Sequence, residues 1–135
     1  MTITDASTLF ALVDKKQSAH LRCRTALKLL SKPLLTTWPC FTEAMYFAFK
    51  SGGISRQKLL WDLVNSSLVR IHAPTENERL RMQALMEIYH DTPMDMADAS
   101  LVALAETLGE KRIFTLDSDF YVYRLNDTER FEVVP

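Results

Sequence analysis

Glycine is scarce in this chain, with three residues in 135, at positions 52, 53 and 109. A phosphate-binding loop or a dinucleotide-binding fingerprint requires several glycines at fixed spacing within one short loop. The three glycines instead follow helix-like segments, so neither motif can be formed from them. Nucleotide-binding sites of these two classes are therefore excluded.

Cysteine is equally rare, since only Cys23 and Cys40 occur. Two cysteines without a CxxC pair cannot frame a disulfide scaffold in a chain of this size, and we expect both to be reduced and buried. The three histidines, His20, His72 and His90, form no HExxH motif. A closed zinc site is therefore not expected.

Long apolar runs are missing as well, and Met1 to Asp5 carries no basic residue ahead of an apolar stretch. No segment approaches the length of a membrane span, so we expect a cytoplasmic protein without membrane association. The chain is 47% hydrophobic and 24% charged. Its length is sufficient to bury a core, which predicts one domain over residues 1–135.

The charge is nearly balanced overall, at −1, but it is unevenly distributed. The segment from Lys15 to Lys32 contains six basic residues and no acidic one: Lys15, Lys16, Arg22, Arg24, Lys28 and Lys32. A surface of one sign can bind phosphates, but a solvated helix face explains such a run equally well.

Strand-like and helix-like segments alternate along the chain. Strands are predicted at 2–5, 34–37, 68–72, 112–116 and 131–134, and helices at 9–13, 19–30, 43–50, 55–64, 76–90 and 95–108. Parallel neighbours need crossover connections, which are normally helical. The order therefore predicts an α/β fold, a three-layer α/β/α sandwich with a mostly parallel central sheet.

Four short stretches place an acidic residue just after an apolar run: Thr4 to Ser7, Phe41 to Ala44, Asp95 to Ala99, and Thr115 to Phe120. In an open α/β sheet the carboxyl ends of the strands converge on one crevice, where ligands bind. We therefore expect Asp5, Glu43 and Asp117, which follow predicted strands, to point toward one edge. Carboxylates gathered there predict a metal site.

Each acid also has a purely structural explanation. Asp5 can cap the helix that follows it, and either Asp117 or Asp119 can cap the turn before Phe120. A helix dipole favours Glu43 in a first turn. Asp95 and Asp98 have the spacing of a capping box. Capping is the simpler explanation for any one acid, but it gives no reason for all of them to converge. Their repulsion would destabilise the fold unless a cation neutralised it.

These motifs resemble those of PIN-domain ribonucleases of the VapC toxin type, over nearly the whole chain. The matching elements are Ile3 to Ser7, Thr42-Glu43 opening a helix, Asp95 to Ala105, and Ile113 to Phe120. The resemblance implies a compact α/β/α domain that cleaves RNA with Mg²⁺ or Mn²⁺ and leaves 5′-phosphate and 3′-hydroxyl ends. It also implies a homodimer held inactive by a small antitoxin protein.

The resemblance places four acids in the family's catalytic and metal-binding positions: Asp5, Glu43, Asp98 and Asp117. It makes Asp119 an accessory acid, whereas Asp95 fits a helix cap better than a ligand. Thr115, Ser7 and Ser118 can orient the acids by hydrogen bonds, although hydroxyls beside turns also satisfy the local backbone.

Two other functions compete with this one. A non-catalytic RNA- or protein-binding module on the same fold would bind in EDTA and cleave nothing at any Mg²⁺ or Mn²⁺ concentration. A phosphoacceptor resembling a response-regulator receiver is disfavoured, because Asp5 has no acidic neighbour and no lysine follows the strand at 112–116.

Two apolar segments, Tyr46 to Phe49 and Leu59 to Trp61, are candidates for a dimer or antitoxin surface. Core packing explains such segments equally well, and we predict that most of these residues are buried.

Overall fold

A computed structural model describes the whole chain, residues 1–135. Its strands are β1 (Thr2–Thr4), β2 (Leu34–Thr37), β3 (Val69–His72), β4 (Arg112–Phe114), β5 (Arg124–Leu125), β6 (Glu129–Arg130) and β7 (Glu132–Val134). Five of them form one sheet in the order β3-β2-β1-β4-β7, and every neighbouring pair is parallel. The remaining two, β5 and β6, form an antiparallel pair.

Helices cover both faces of this sheet. They are α1 (Ala6–Val13), α2 (His20–Leu29), α3 (Trp38–Asn65), α4 (Glu76–Ile88) and α5 (Met96–Leu108), with a short 3₁₀ helix at Ser118–Tyr121. Successive strand residues face opposite sides, so Phe114 packs in a core with α1, α2 and α3, whereas Ile113 packs in a second core with α4 and α5. The predicted three-layer α/β/α architecture is confirmed.

The start of α3 differs from the prediction. The helix begins at Trp38 rather than at Glu43. The Thr37 side chain caps it by accepting a bond from the Cys40 N–H at 3.4 Å. Pro39 lies in the first turn, where its missing N–H breaks no helical bond. Proline thus ends β2 as expected but also starts a helix, and Glu43 belongs to the second turn instead of the first.

The predicted interruption after Ser51 is confirmed, because α3 has non-helical backbone at Gly52 and Gly53. Gly53 has φ 64° and ψ −153°, a region that is essentially restricted to glycine. The buried Asp14 carboxylate accepts the Ser51 hydroxyl at 2.6 Å. Arg56 donates to the Val13 carbonyl at 2.9 Å. These bonds fix the break in α3 against the end of α1.

Most residues of the two apolar segments in α3 are not buried, contrary to the prediction. Ala48 and Leu60 belong to the core, but Tyr46, Phe49 and Trp61 are exposed. Leu59 is exposed as well. The two cysteines are free and buried, as predicted. No helix in the structure has both the length and the apolar character needed to cross a bilayer.

Candidate metal centre

Asp5 connects β1 to α1 at the centre of the sheet. Its backbone N–H donates to the Phe114 carbonyl at 3.2 Å, which extends the pairing of β1 with β4. Its side chain caps α1 by accepting the N–H groups of Ser7 at 2.9 Å and Thr8 at 3.3 Å. Burial raises the pKa of this carboxyl, and the hydrogen bonds only partly offset the effect.

Two hydroxyls join Asp5 to the loop after β4. The Ser7 hydroxyl donates to Asp5 Oδ1 at 2.5 Å and accepts the Leu116 N–H at 3.0 Å. The Thr115 hydroxyl donates to Asp5 Oδ2 and accepts the Asp117 N–H at 2.9 Å. Asp5 and Asp117, 112 positions apart in sequence, therefore share one hydrogen-bonding side chain.

Three carboxylates gather beside this connection. One oxygen from each of Asp98, Asp117 and Asp119 lies within 4.8 Å of the others. Asp117 begins the 3₁₀ helix by accepting the Asp119 N–H at 2.9 Å, and Asp98 lies in the first turn of α5. The sequence placed these acids on two separate motifs, and the fold brings them together.

Only half of the predicted capping box at the start of α5 is present. Asp95 accepts the Asp98 N–H at 2.8 Å and is the N-cap. The Asp98 carboxylate accepts no hydrogen bond from the Asp95 backbone, and its Oδ2 accepts the Tyr123 hydroxyl at 2.8 Å. Asp95 therefore caps the helix, while Asp98 joins the cluster.

Burial and the repulsion of neighbouring carboxylates raise the pKa values of two of these acids, Asp98 and Asp119. Burial, followed by the charges of Asp95, Asp117 and Asp5, raises the pKa of Asp98 to about 7, although the Tyr123 hydrogen bond opposes this. Burial and the Asp117 and Asp95 charges also raise the pKa of Asp119. No lysine or arginine forms a salt bridge with any of these acids.

Glu43 is near the cluster but forms no hydrogen bond with it. It is half-buried on α3. Burial raises its pKa, and so do the charges of Asp95, Asp5 and Asp117. The N-cap of α3 and the second turn of α5 are joined by a 2.6 Å hydrogen bond between the Thr37 and Ser100 hydroxyls. This bond holds the two helices that carry Glu43 and Asp98 in one arrangement.

Sequence reasoning missed Tyr123 and the β5–β6 pair that follows it. Tyr123 is fully buried, and its ring lies 5.1 Å from the rings of both Tyr89 and Phe120. A buried tyrosine needs a partner for its hydroxyl. The aromatic residues that follow Asp119 could have indicated a core-anchored tyrosine beside the acids. The strands β5 and β6 have only two residues each, too few for an alternating pattern.

The donor set fits a hard divalent cation. Carboxylate oxygens are the ligands that suit Mg²⁺ and Mn²⁺. The acids carry unneutralised charge in a partly buried place, which is unfavourable unless a cation or a proton compensates it. Asp98, Asp117 and Asp119 are close enough to act together on one ion.

Solved structures of other proteins share the fold of this chain. VapC20 of Mycobacterium tuberculosis, described as a toxin that cleaves the sarcin-ricin loop, is similar with a TM-score of 0.83 at 15% identity, over 90% of this chain and 94% of that one. A chain of a toxin-antitoxin complex from Klebsiella pneumoniae is similar with a TM-score of 0.66 at 20% identity, over 89% of this chain and 90% of that one.

At these identities the two structures support the fold alone. No sequence among the curated proteins matches the chain. The sequence model of the PIN domain family matches residues 2–125 of the chain. Since this match covers most of the chain, the protein belongs to the PIN domain family.

Proposed function

We propose that the protein is a metal-dependent endoribonuclease that hydrolyses RNA phosphodiester bonds. The observation that carries this proposal is the gathering of Asp98, Asp117 and Asp119 without a cationic partner, at the edge of a PIN-domain sheet. Cleavage of an RNA loop by VapC20, whose fold is similar, supports RNA as the substrate class.

The proposed metal and catalytic set is Asp5, Glu43, Asp98 and Asp117, and the accessory residues are Asp119, Asp95, Thr115 and Ser7. The proximity of Asp119 to Asp98 and Asp117 supports a larger role for Asp119 than the resemblance implied. The exposed Asp95 carboxylate caps α5, which supports an accessory role at most. Mg²⁺ often takes only one or two carboxylates directly, so not every acid needs to touch the ion.

An Mg²⁺ or Mn²⁺ ion held by these acids would supply a water of lowered pKa and would neutralise charge on the phosphate. The chain's own residues hold the acids in position for that chemistry. Tyr123 orients the Asp98 carboxylate and favours its charged form through the 2.8 Å hydrogen bond. Thr115 holds the Asp5 carboxylate and the Asp117 backbone at the end of β4.

We further propose that residues 1–135 form a single PIN-like nuclease domain and act as the toxin of a type II toxin-antitoxin pair. The similar fold found in a toxin-antitoxin complex supports a small antitoxin as partner. The exposed side chains of Tyr46, Phe49 and Trp61 offer an apolar surface for that antitoxin or for a homodimer. The two free thiols fit a reducing compartment such as the cytoplasm.

Cleavage of defined RNA oligonucleotides by the purified protein tests the enzymatic proposal. We expect Mn²⁺-dependent products with 5′-phosphate ends, and we expect Asp98→Asn to reduce the cleavage rate by more than about 100-fold. Asp62→Asn is the matched control, since Asp62 is an exposed acid of α3 without an ion pair.

Undiminished cleavage by Asp98→Asn would contradict the proposed centre. RNA binding that persists in EDTA, with no cleavage at any Mn²⁺ or Mg²⁺ concentration, would favour a non-catalytic binding module on the same fold.

A further inference from the structure

A small recess lies on one side of the acidic cluster. It has a volume of about 190 Å³, and its lining includes Arg22, Thr115, Asp117, Ser118 and Tyr121. Thr115 and Asp117 belong to the proposed metal centre, so the recess is continuous with it. The lining brings the beginning of α2 together with the loop after β4.

Arg22 is the one basic residue that lines this recess. It is exposed in the first turn of α2, and it forms neither a salt bridge nor a side-chain hydrogen bond. Of the six basic residues between Lys15 and Lys32, it alone lines a cavity together with an acid of the centre. A guanidinium without a partner is suited to bidentate binding of a phosphate.

Tyr121 supplies an open aromatic face at the same recess. Its side chain is 64% exposed, although it lies in the short 3₁₀ helix that Asp117 caps. The preceding Phe120 is fully buried, with its ring 5.1 Å from that of Tyr123 and 5.7 Å from that of Phe131. The backbone under Tyr121 is therefore anchored while its ring stays accessible. Exposed aromatic rings beside phosphate-binding groups stack with unpaired bases.

We propose that this recess is a nucleotide subsite for single-stranded RNA. Arg22 binds a backbone phosphate next to the linkage that is cut, and Tyr121 stacks with an unpaired base. The volume of about 190 Å³ is sufficient for one phosphate with part of its ribose. This inference rests on the proposed ribonuclease function, and it explains how a chain of net charge −1 holds a polyanion beside a group of acids.

Replacement of single phosphates in the RNA by uncharged methylphosphonate linkages tests the role of Arg22. With the wild-type protein, one substitution near the cut linkage raises KM by about 10-fold or more. Arg22→Ala raises the KM for unmodified RNA by a similar factor, and the methylphosphonate linkage does not raise the KM of this variant further. Arg22→Ala also reduces the slope of log affinity against log salt concentration by about 0.7, whereas Arg22→Lys keeps the wild-type slope.

Arg70→Ala is the matched control. It removes the same charge from an exposed side chain without an ion pair, on β3, which is the sheet edge opposite β7. The methylphosphonate linkage should raise the KM of Arg70→Ala by the same factor as in the wild-type protein. For the stacking partner, Tyr121→Ala raises KM by about fivefold or more, and the conservative variant Tyr121→Phe, which keeps the aromatic ring, recovers most of this loss.

Binding of the same oligonucleotides in EDTA separates failure of the subsite from failure of the enzymatic proposal. Arg22-dependent binding without cleavage would refute the ribonuclease function and retain the subsite. If the wild-type protein cleaves RNA but no single methylphosphonate substitution acts differently in the wild type and in Arg22→Ala, the subsite is refuted. The ribonuclease function is then retained. Arg22-dependent binding of a glutamate-rich peptide, with unchanged RNA parameters, would overturn it in favour of a protein partner.

Discussion

The acids of this protein combine structural and chemical roles in single side chains. Asp5 caps α1, and Asp117 caps the 3₁₀ helix. The Asp117 cap uses Oδ1 alone, and a carboxylate has two oxygens with about four acceptor sites, so capping does not exhaust its capacity to bind a cation. Capping and metal binding, which compete as explanations of the sequence, are therefore compatible in the structure.

Tyr123→Phe tests how the centre is tuned. Removal of the hydroxyl takes away the one hydrogen bond that lowers the pKa of Asp98, so this pKa should rise above its value of about 7. We expect the midpoint of the Asp98 titration in the metal-free protein to move upward by about one pH unit. Carboxyl ¹³C NMR titrations in EDTA across pH 5 to 9 measure the shift.

The control for this variant is Tyr46→Phe, which removes an exposed hydroxyl on α3. Its titration curve for Asp98 should coincide with that of the wild-type protein. An unchanged curve for Tyr123→Phe would show that the hydrogen bond from Tyr123 does not control the ionisation of Asp98.

Asp98→Asn has a second expected effect, on stability without metal. Folding raises the pKa of Asp98 from 3.8 to about 7, so the neutral carboxyl stabilises the fold below pH 4, and this contribution is lost as the pH rises through about 7. In EDTA at pH 8 the variant should gain about 2 kcal/mol in free energy of unfolding, allowing for partial solvent exposure. At pH 4 the gain should vanish, and urea titrations at both pH values measure the difference.

At the scale of elements, the strands of the five-stranded sheet were predicted closely, because their apolar runs are short and bounded by polar or turn-forming residues. The β2 prediction coincides with the observed strand, and Gly109 ends α5 as expected. The start of α3 could not be predicted from periodicity, because the first turn depends on the Thr37 cap and on a proline that is compatible with both a strand end and a helix start. Tyr123 was missed for a similar reason, since its role depends on a contact across 25 residues.

Gly109 allows a direct test of one helix end. It adopts a left-handed backbone with φ 64° and ψ 29°, and a Cβ at this position would meet nothing within 4 Å. Gly109→Ala should therefore lower the free energy of unfolding by about 1 kcal/mol through backbone strain alone. Gly109→Asn should cost less, because asparagine tolerates this conformation. Equal stability of the two variants in urea unfolding would refute this explanation.

At the scale of the whole molecule, the parallel sheet determines where the centre lies. Alternation of strands and helices predicted that Asp5 and Asp117 would follow strands at one edge, and β1 and β4 are neighbours in the sheet. The sequence could not indicate which acids would come within ligand distance of one another. That selection depends on the 3₁₀ helix after Asp117, which brings Asp119 close to Asp98.

Metal binding should stabilise the entire fold. If the folded protein alone binds Mn²⁺, a concentration about 100 times Kd adds roughly 2.7 kcal/mol to the free energy of unfolding. Thermal melts with Mn²⁺ and with EDTA measure the effect. Asp62→Asn should retain the shift, and Asp98→Asn should lose most of it. A wild-type protein that melts at the same temperature in both conditions would contradict the proposed centre.

The central position of β1 in the sheet has a consequence during translation. Residues Thr2–Thr4 are synthesised before β4, the neighbour of β1 in the sheet, which begins at Arg112. Asp5 gains the Thr115 hydroxyl, 110 positions downstream, only after translation has passed Thr115. A nascent or prematurely terminated chain that lacks Thr115 therefore has no assembled centre. Under the proposed function, such a chain should cleave no RNA.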